Sequence, residues 1–162
     1  MATANTNLSE YDINSIPDAS TMTFGIVVSE WNKNITFNLL DGAKSALLKH
    51  GAKEENIIIK YTPGTYELAL GAQYLFEANK VDGVVCLGSV IQGETKHFDF
   101  VCEASAQGIK DVSLKYNKPA IFGVLTDNTM QQAIDRSGGK HGNKGIECAI
   151  ACIKMIDLKR SI

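Results

Sequence analysis

The sequence predicts an α/β fold: a three-layer αβα sandwich around a four-stranded, mainly parallel sheet, with an N-terminal arm or strand in front. Three observations carry this. Four short, apolar, β-branched runs recur along the chain: FGIVVS, NIIIKY, VDGVVCL and PAIFGVL. Each is followed by a segment whose apolar residues fall at helical spacing. The three prolines, Pro17, Pro63 and Pro119, all lie outside the interiors of these segments. Strands that alternate with helices are joined by crossovers, so the sheet is parallel and helices cover both faces. There is no internal repeat or low-complexity tract. The expected organisation is an arm over residues 1–20 and a single domain over residues 21–162.

The elements follow in order. Residues 1–20 are polar and carry Pro17, which suits a loose arm with at most one short strand. Residues 24–29 are uniformly apolar and β-branched, as in a strand buried on both faces. The loop SEWNKN follows, where Asn32 or Asn34 can cap the next helix. That helix spans 35–50, with a stripe of Phe37, Leu40, Ala43, Leu47 and Leu48, and Gly51 stops it. A second strand covers 56–61, TPGT turns the chain, and a helix covers 66–79. The third strand is 81–87. A long helix over about 95–116 has a stripe of Phe98, Val101, Cys102, Ser105, Ile109 and Val112. The fourth strand is 119–125. Thr129 to Gln132 reads as a capping box that opens a short helix, and a last helix runs over about 143–158.

Composition excludes several function classes. Net charge is −2, which argues against a nucleic-acid-binding or membrane-docking surface. No apolar run approaches the ~20 residues of a membrane span. The first twenty residues lack the basic-then-apolar layout of a secretory signal. Cys86, Cys102, Cys148 and Cys152 form no CxxC pair and read as small core residues in a reducing, cytoplasmic compartment.

In a parallel sheet the strand-to-helix loops emerge on one edge, where open α/β folds bind ligands. SEWNKN, TPGTYE, GSVIQGETKH and GVLTDN should therefore converge, bringing Trp31, Tyr66, Glu67, Thr95, His97 and Phe122. Trp31 is the sole tryptophan; it is a stacking platform for a heteroaromatic ring or a lid on the core. His97, in the first turn of the long helix, is either an acid–base residue or an exposed or interface histidine. The helix start around Thr95 and Lys96 suits an anion, although GETKH is not a Walker loop and no GxGxxG occurs. Arg136 and Arg160 are the only arginines, against fourteen lysines. Arg136 is thus a candidate fork for phosphate or carboxylate, or a partner of its helix dipole. Lys140 and Lys144 could join it or stay solvated. Glu67 is an acceptor for substrate hydroxyls or a ring amine, or an ordinary acid at a helix start.

The stretches GIVVSEWN, TPGTYEL, LGSVIQGETKHFDFVC, PAIFGVLT, AIDR and HGNKG, in this order and spacing over about residues 22–160, resemble the 6,7-dimethyl-8-ribityllumazine synthase family. The resemblance implies a flavodoxin-like sheet and condensation of 5-amino-6-(D-ribitylamino)uracil with 3,4-dihydroxy-2-butanone 4-phosphate. Phosphate and water would be lost, at the penultimate step of riboflavin biosynthesis, with no metal and no redox cofactor. It places Trp31 on the pyrimidine ring. Thr65, Tyr66 and Glu67 would hold the ribityl chain and ring edge, with Ser89, Val90 and Ile91 along the ring. Glu94, Thr95 and Arg136 would receive the phosphate, and His97 would transfer protons. Phe122 would close the site of a neighbouring subunit. Two positions depart from the common family pattern. Trp31 replaces a phenylalanine and could also hold riboflavin; Gln92 replaces an arginine and lowers the local positive charge. The resemblance further implies a pentamer. The short connection over 137–143 favours twelve pentamers in an icosahedral shell, and riboflavin synthase is a further partner to consider. The alternative is a non-catalytic flavodoxin-like module that carries riboflavin or its phosphate. A receiver domain is rejected, because Ser29-Glu30 and Gly88-Ser89 stand where its clustered aspartates belong.

Overall fold

The computed structural model describes residues 7–78 and 80–162. Its main elements are β1 (Phe24–Ser29), α1 (Lys33–Lys49), β2 (Ile57–Thr62), α2 (Leu68–Ala78), β3 (Gly83–Ile91), α3 (His97–Tyr116), β4 (Ala120–Asp127), α4 (Met130–Arg136), β5 (Ser137–Gly139), β6 (Gly142–Asn143) and α5 (Lys144–Ser161). The four long strands form one parallel sheet in the order β2-β1-β3-β4, and β5 and β6 form a small antiparallel hairpin. This is the expected three-layer α/β sandwich.

Strand side chains alternate between two buried layers, as a period of two requires. Phe24, Ile26, Val28, Val85, Leu87 and Leu125 pack against α1 and α5. Val27, Val84, Cys86 and Val124 pack against α2 and α3. Central strands buried on both faces are why their sequences read as continuous apolar runs. Chain order puts the ends of β1, β2, β3 and β4 on one edge, and the site is built there.

The boundaries and faces show where tertiary packing departs from local pattern. β3 continues four residues past the expected Leu87, so Ser89, Val90 and Ile91 are strand residues paired with Leu125, Thr126 and Asp127. Gly88 permits this: a Cβ there would come within 2.8 Å of the Thr65 side chain. α2 begins at Leu68, leaving Thr65, Tyr66 and Glu67 in the preceding loop; the expected last residue of that helix, at position 79, lies outside the described residues. On α1, Phe37 and Leu48 are exposed, while Ile35, Thr36, Leu39 and Ala46 are buried. The buried face is rotated because α1 packs on both the sheet and the neighbouring α5. Asn32 stands at the N-cap of α1 in the left-handed region, φ 58°, which asparagine tolerates. It makes no side-chain cap. The capping box at Thr129 forms with one change: Thr129 Oγ1 accepts from the Gln132 amide at 3.3 Å, but Gln132 Oε1 accepts from Asn128 rather than Thr129.

The described part of the arm holds a 3-10 turn, Ile13–Ser15, in place of a strand; residues 1–6 lie outside the described residues. Asp12 and Asp18 accept from the backbone amides of Asn14 and Ser20, and such local bonds favour turns over extended chain. The segment is tied to the body. The Leu8 amide donates to the His141 carbonyl at 2.8 Å, the Asn143 amide to Ser9 Oγ at 2.9 Å, and the Ala19 amide to the His50 carbonyl at 2.9 Å.

In α3 only Ser105, Ile109 and Val112 are buried. Ser105 Oγ donates to the Val101 carbonyl of its own helix at 2.6 Å and lies 3.2 Å from the Thr65 carbonyl at the sheet edge, so the first two turns, from His97, overhang that edge. Phe98, Val101 and Cys102, expected in the buried stripe, are half-buried for that reason, and Phe100 is 68% exposed.

All four cysteines are free thiols; Cys86, Cys148 and Cys152 are buried and Cys102 is half-buried. Burial pushes the buried thiols well above the ordinary range, Cys148 to about 12. Because the thiolate is the reactive form, a thiol reagent is expected to modify at most one cysteine per native chain, slowly, and four in denaturant. Peptide mapping that found fast native labelling at Cys152 would contradict this packing.

Candidate active site

The residues expected at the site come from five local structures. β1 ends at Ser29, and the chain turns there because the Trp31 amide donates to Ser29 Oγ at 3.2 Å. Trp31 is 70% exposed. The Asn32 side-chain amide reaches across to donate to the Ser89 carbonyl at 3.0 Å, locking the Trp31 loop onto the end of β3. After β2, Thr65 is buried, with its carbonyl 3.2 Å from Ser105 Oγ, while Tyr66 and Glu67 are exposed. β3 and β4 are joined past their paired ends by the Gln92 amide, which donates to the Asp127 carbonyl at 2.9 Å. Glu94, Thr95 and His97 are exposed on the overhang; the His97 amide donates weakly to Thr95 Oγ1, at 3.4 Å. Arg136, closing α4, donates from Nη1 to the Gln132 carbonyl at 3.1 Å and stands 3.8 Å from Asp127 Oδ1. It therefore serves its helix C-terminus and faces the sheet edge at once.

Three buried side-chain oxygens among the described residues have no hydrogen-bond partner: Thr65 Oγ1, Ser89 Oγ and Asp127 Oδ2. Buried polar atoms are nearly always paired. These three fall just past β2, near the end of β3 and at the end of β4, so the unmet capacity collects on the ligand-binding edge of the sheet.

Asp127 was not picked out from the sequence. Burial raises its carboxyl above the ordinary carboxylate range, and the Arg136 charge offsets part of that. In sequence it is one acid in TDN, indistinguishable from a turn residue; the only signal was an arginine nine positions later.

Other expectations need correction or narrowing. Phe122 does not join the loops. It lies mid-strand, paired with Cys86 and packed on the α2/α3 layer, about 16 Å along β4 from Asp127. It cannot close the site of its own chain. Lys140 pairs with Asp135 at 3.3 Å, and the largely buried Lys144 pairs with Glu147 at 2.8 Å, so both have acidic partners within the chain. A cavity of about 440 Å³ lies between β2 and α2, lined by Tyr61, Pro63, Glu67 and Tyr74 among others. Another of about 540 Å³ lies between α1 and the β5–β6 hairpin. Neither is lined by Trp31, His97 or Arg136.

Comparison with known proteins bears on what this edge of the sheet does. The model of the 6,7-dimethyl-8-ribityllumazine synthase family matches residues 21–160. The chain is 57% identical to the 6,7-dimethyl-8-ribityllumazine synthase of Parabacteroides distasonis, over 97% of this chain and 98% of that one. It is 54% identical to the protein of the same name from Phocaeicola vulgatus, over 100% of this chain and 96% of the other. Similarity to that of Cytophaga hutchinsonii is 57% identity over 96% and 98%. Matches of this extent, on the fold and edge described, leave one assignment: the chain belongs to the 6,7-dimethyl-8-ribityllumazine synthase family.

Proposed function

We propose that the chain condenses 5-amino-6-(D-ribitylamino)uracil with 3,4-dihydroxy-2-butanone 4-phosphate to give 6,7-dimethyl-8-ribityllumazine, phosphate and water, the penultimate step of riboflavin biosynthesis. The observation that carries this is the set of three unpartnered buried oxygens on one strand edge, beside an exposed indole and an arginine. A polyhydroxy chain on a polar ring supplies the donors and acceptors such an edge lacks. Trp31 offers its face to the pyrimidine. Thr65, Tyr66 and Glu67 take the ribityl chain and ring edge, and Ser89, Val90 and Ile91 line the ring. Arg136 holds the phosphate with the Glu94–Thr95 segment just before α3; Lys140 follows in the β5–β6 turn and Lys144 opens α5.

The ring amine attacks the ketone, the carbinolamine loses water to form an imine, and phosphate leaves by elimination. The enol then tautomerises to a ketone, the ribitylamino nitrogen attacks that carbonyl, and the ring closes with loss of a second water. Each step moves a proton, which His97 can relay. Much of the acceleration comes from holding two reactants together, up to roughly 7–11 kcal/mol in well-oriented systems. His97→Ala is therefore expected to lower kcat by about a hundredfold, the scale of one acid–base group, without abolishing turnover. Steady-state assays at saturating substrates measure this; a wild-type kcat would remove His97 from the mechanism.

The mid-strand Phe122, away from the loops of its own chain, supports a site completed by a neighbouring subunit's Phe122, in a pentamer of single domains spanning residues 21–162 behind a 1–20 arm. Twelve pentamers in a shell fit the short β5–β6 connection, and light scattering distinguishes them from a free pentamer. The site is cytoplasmic in this scheme, and riboflavin synthase is the enzyme that would use the product. No helix among the described residues is long and apolar enough to cross a membrane. Incubation with both substrates, following lumazine absorbance and released phosphate, tests the whole proposal. Bound flavin without product would replace it with a carrier.

A further inference from the structure

Asp127 is placed at a cost that the fold does not explain. Its side chain is 7% exposed, and Oδ2 is buried without a partner. Oδ1 is 3.8 Å from Arg136 Nη1, beyond hydrogen-bonding distance and unlike the bidentate fork of a structural arginine–carboxylate pair. The backbone around it is rigid: its Cα pairs with Ile91 in the sheet, and its carbonyl accepts from Gln92. A fixed negative charge thus stands behind a guanidinium that spends one N–H on the Gln132 carbonyl and keeps 38% of its side chain exposed.

We propose that Asp127 is a positioning residue that acts through Arg136 to weaken the hold on the phosphate group, so that the orthophosphate product leaves. This rests on the assignment of Arg136 as the phosphate seat. The chemistry requires the same cation to hold a phosphate ester and then release inorganic phosphate. A lone guanidinium in a half-buried site would retain the released anion. With a carboxylate behind it the pair is neutral, and an approaching phosphate is attracted by the nearer charge and repelled by the further one. The attraction is short-ranged and directional, so it favours a correctly seated ester without trapping the product.

The test measures the dissociation constant of inorganic phosphate by calorimetry on the full-length assembled protein. Asp127→Asn, which keeps size and shape, is expected to tighten phosphate about tenfold, the order expected for removing one nearby like charge. Asp127→Ala should shift it in the same direction, and Asp127→Glu, which keeps the charge, should stay near wild type. A residue that merely braced Arg136 would give weaker binding in both neutral variants, so unchanged or weakened phosphate overturns the proposal. Tightening by Asn alone would also overturn it, since an amide hydrogen bond would then be the cause. In an Arg136→Ala background phosphate is no longer seated next to Asp127, so the Asp127→Asn effect should shrink below about twofold, the coupling a double-mutant cycle isolates. Full retention of the effect there overturns the route through Arg136. The single Arg136→Ala variant reports separately on the seat itself: if it binds phosphate like wild type, the seat lies elsewhere, whatever Asp127 does.

Discussion

Arg136→Ala is expected to lower kcat/KM for the phosphorylated substrate by two to three orders of magnitude, mostly through KM. A hydrogen bond to a charged group is worth about 1.5–3 kcal/mol, and the guanidinium can offer two such bonds to a phosphate while Nη1 also serves Gln132. The effect should exceed that of His97→Ala at low substrate and fall below it at saturation, because in the proposed mechanism one group binds and the other moves protons. Arg136→Lys should recover only part of the loss, since an ammonium cannot reproduce the planar fork. Loss of the arginine also leaves Asp127 buried without its neighbouring cation, so thermal melts are needed beside the kinetics. A single-turnover assay at limiting phosphorylated substrate in which Arg136→Ala matched wild type would remove Arg136 from the phosphate site.

Gly145→Ala should damage the fold more than any other single methyl. Gly145 is buried in the first turn of α5, where that helix crosses α1. A Cβ there would collide with the Leu39 carbonyl oxygen and sit 2.8 Å from its carbon and 2.9 Å from Asn143 Oδ1. None of these can swing away. Leu39 is mid-helix, and Asn143 is fixed by three bonds: it accepts from the Gly145 amide at 2.8 Å and donates to the Asn38 and Ser137 carbonyls. The helices must separate, at a cost of about 3 kcal/mol, the upper part of the overpacking range. That corresponds to a fall in Tm of about 6–12 °C for a chain of this size. Gly93 is the control: nothing lies within 4 Å of a Cβ there, so Gly93→Ala should melt as wild type does.

The strands were legible because central parallel strands are apolar on both faces, and FGIVVS and VVCL could be nothing else in a chain with this alternation. The end of β3 was not legible. Gly88-Ser89 looks like punctuation, yet the glycine is there so that Thr65 can lie against the strand. On α1, Leu40, Ala43 and Leu47 are buried as the spacing predicts, but Phe37 and Leu48 are not, because spacing finds an apolar stripe but not which neighbours compete for it. At the site, Trp31, His97 and Arg136 stood out as rare residues at strand or helix ends. Asp127 and Asn32 did not, since their roles lie in cross-chain geometry: a carboxylate without a donor and an amide bonded 57 residues away. Phe122 marks the same limit. Its position in the strand is local, but a place in a binding site would depend on another copy of the chain.

The sealed thiols provide an internal clock for how the sandwich comes apart. Cys86 lies in the layer under α2 and α3, while Cys148 and Cys152 are carried by α5 itself and face the layer it shares with α1. Under native conditions each can be alkylated only while its own layer stands open, so trapping rates report local opening free energies. Equal rates at Cys86 and Cys152 would mean that the two halves open as one cooperative unit. A faster rate on one side would show which layer peels first, read from natural side chains with no label added.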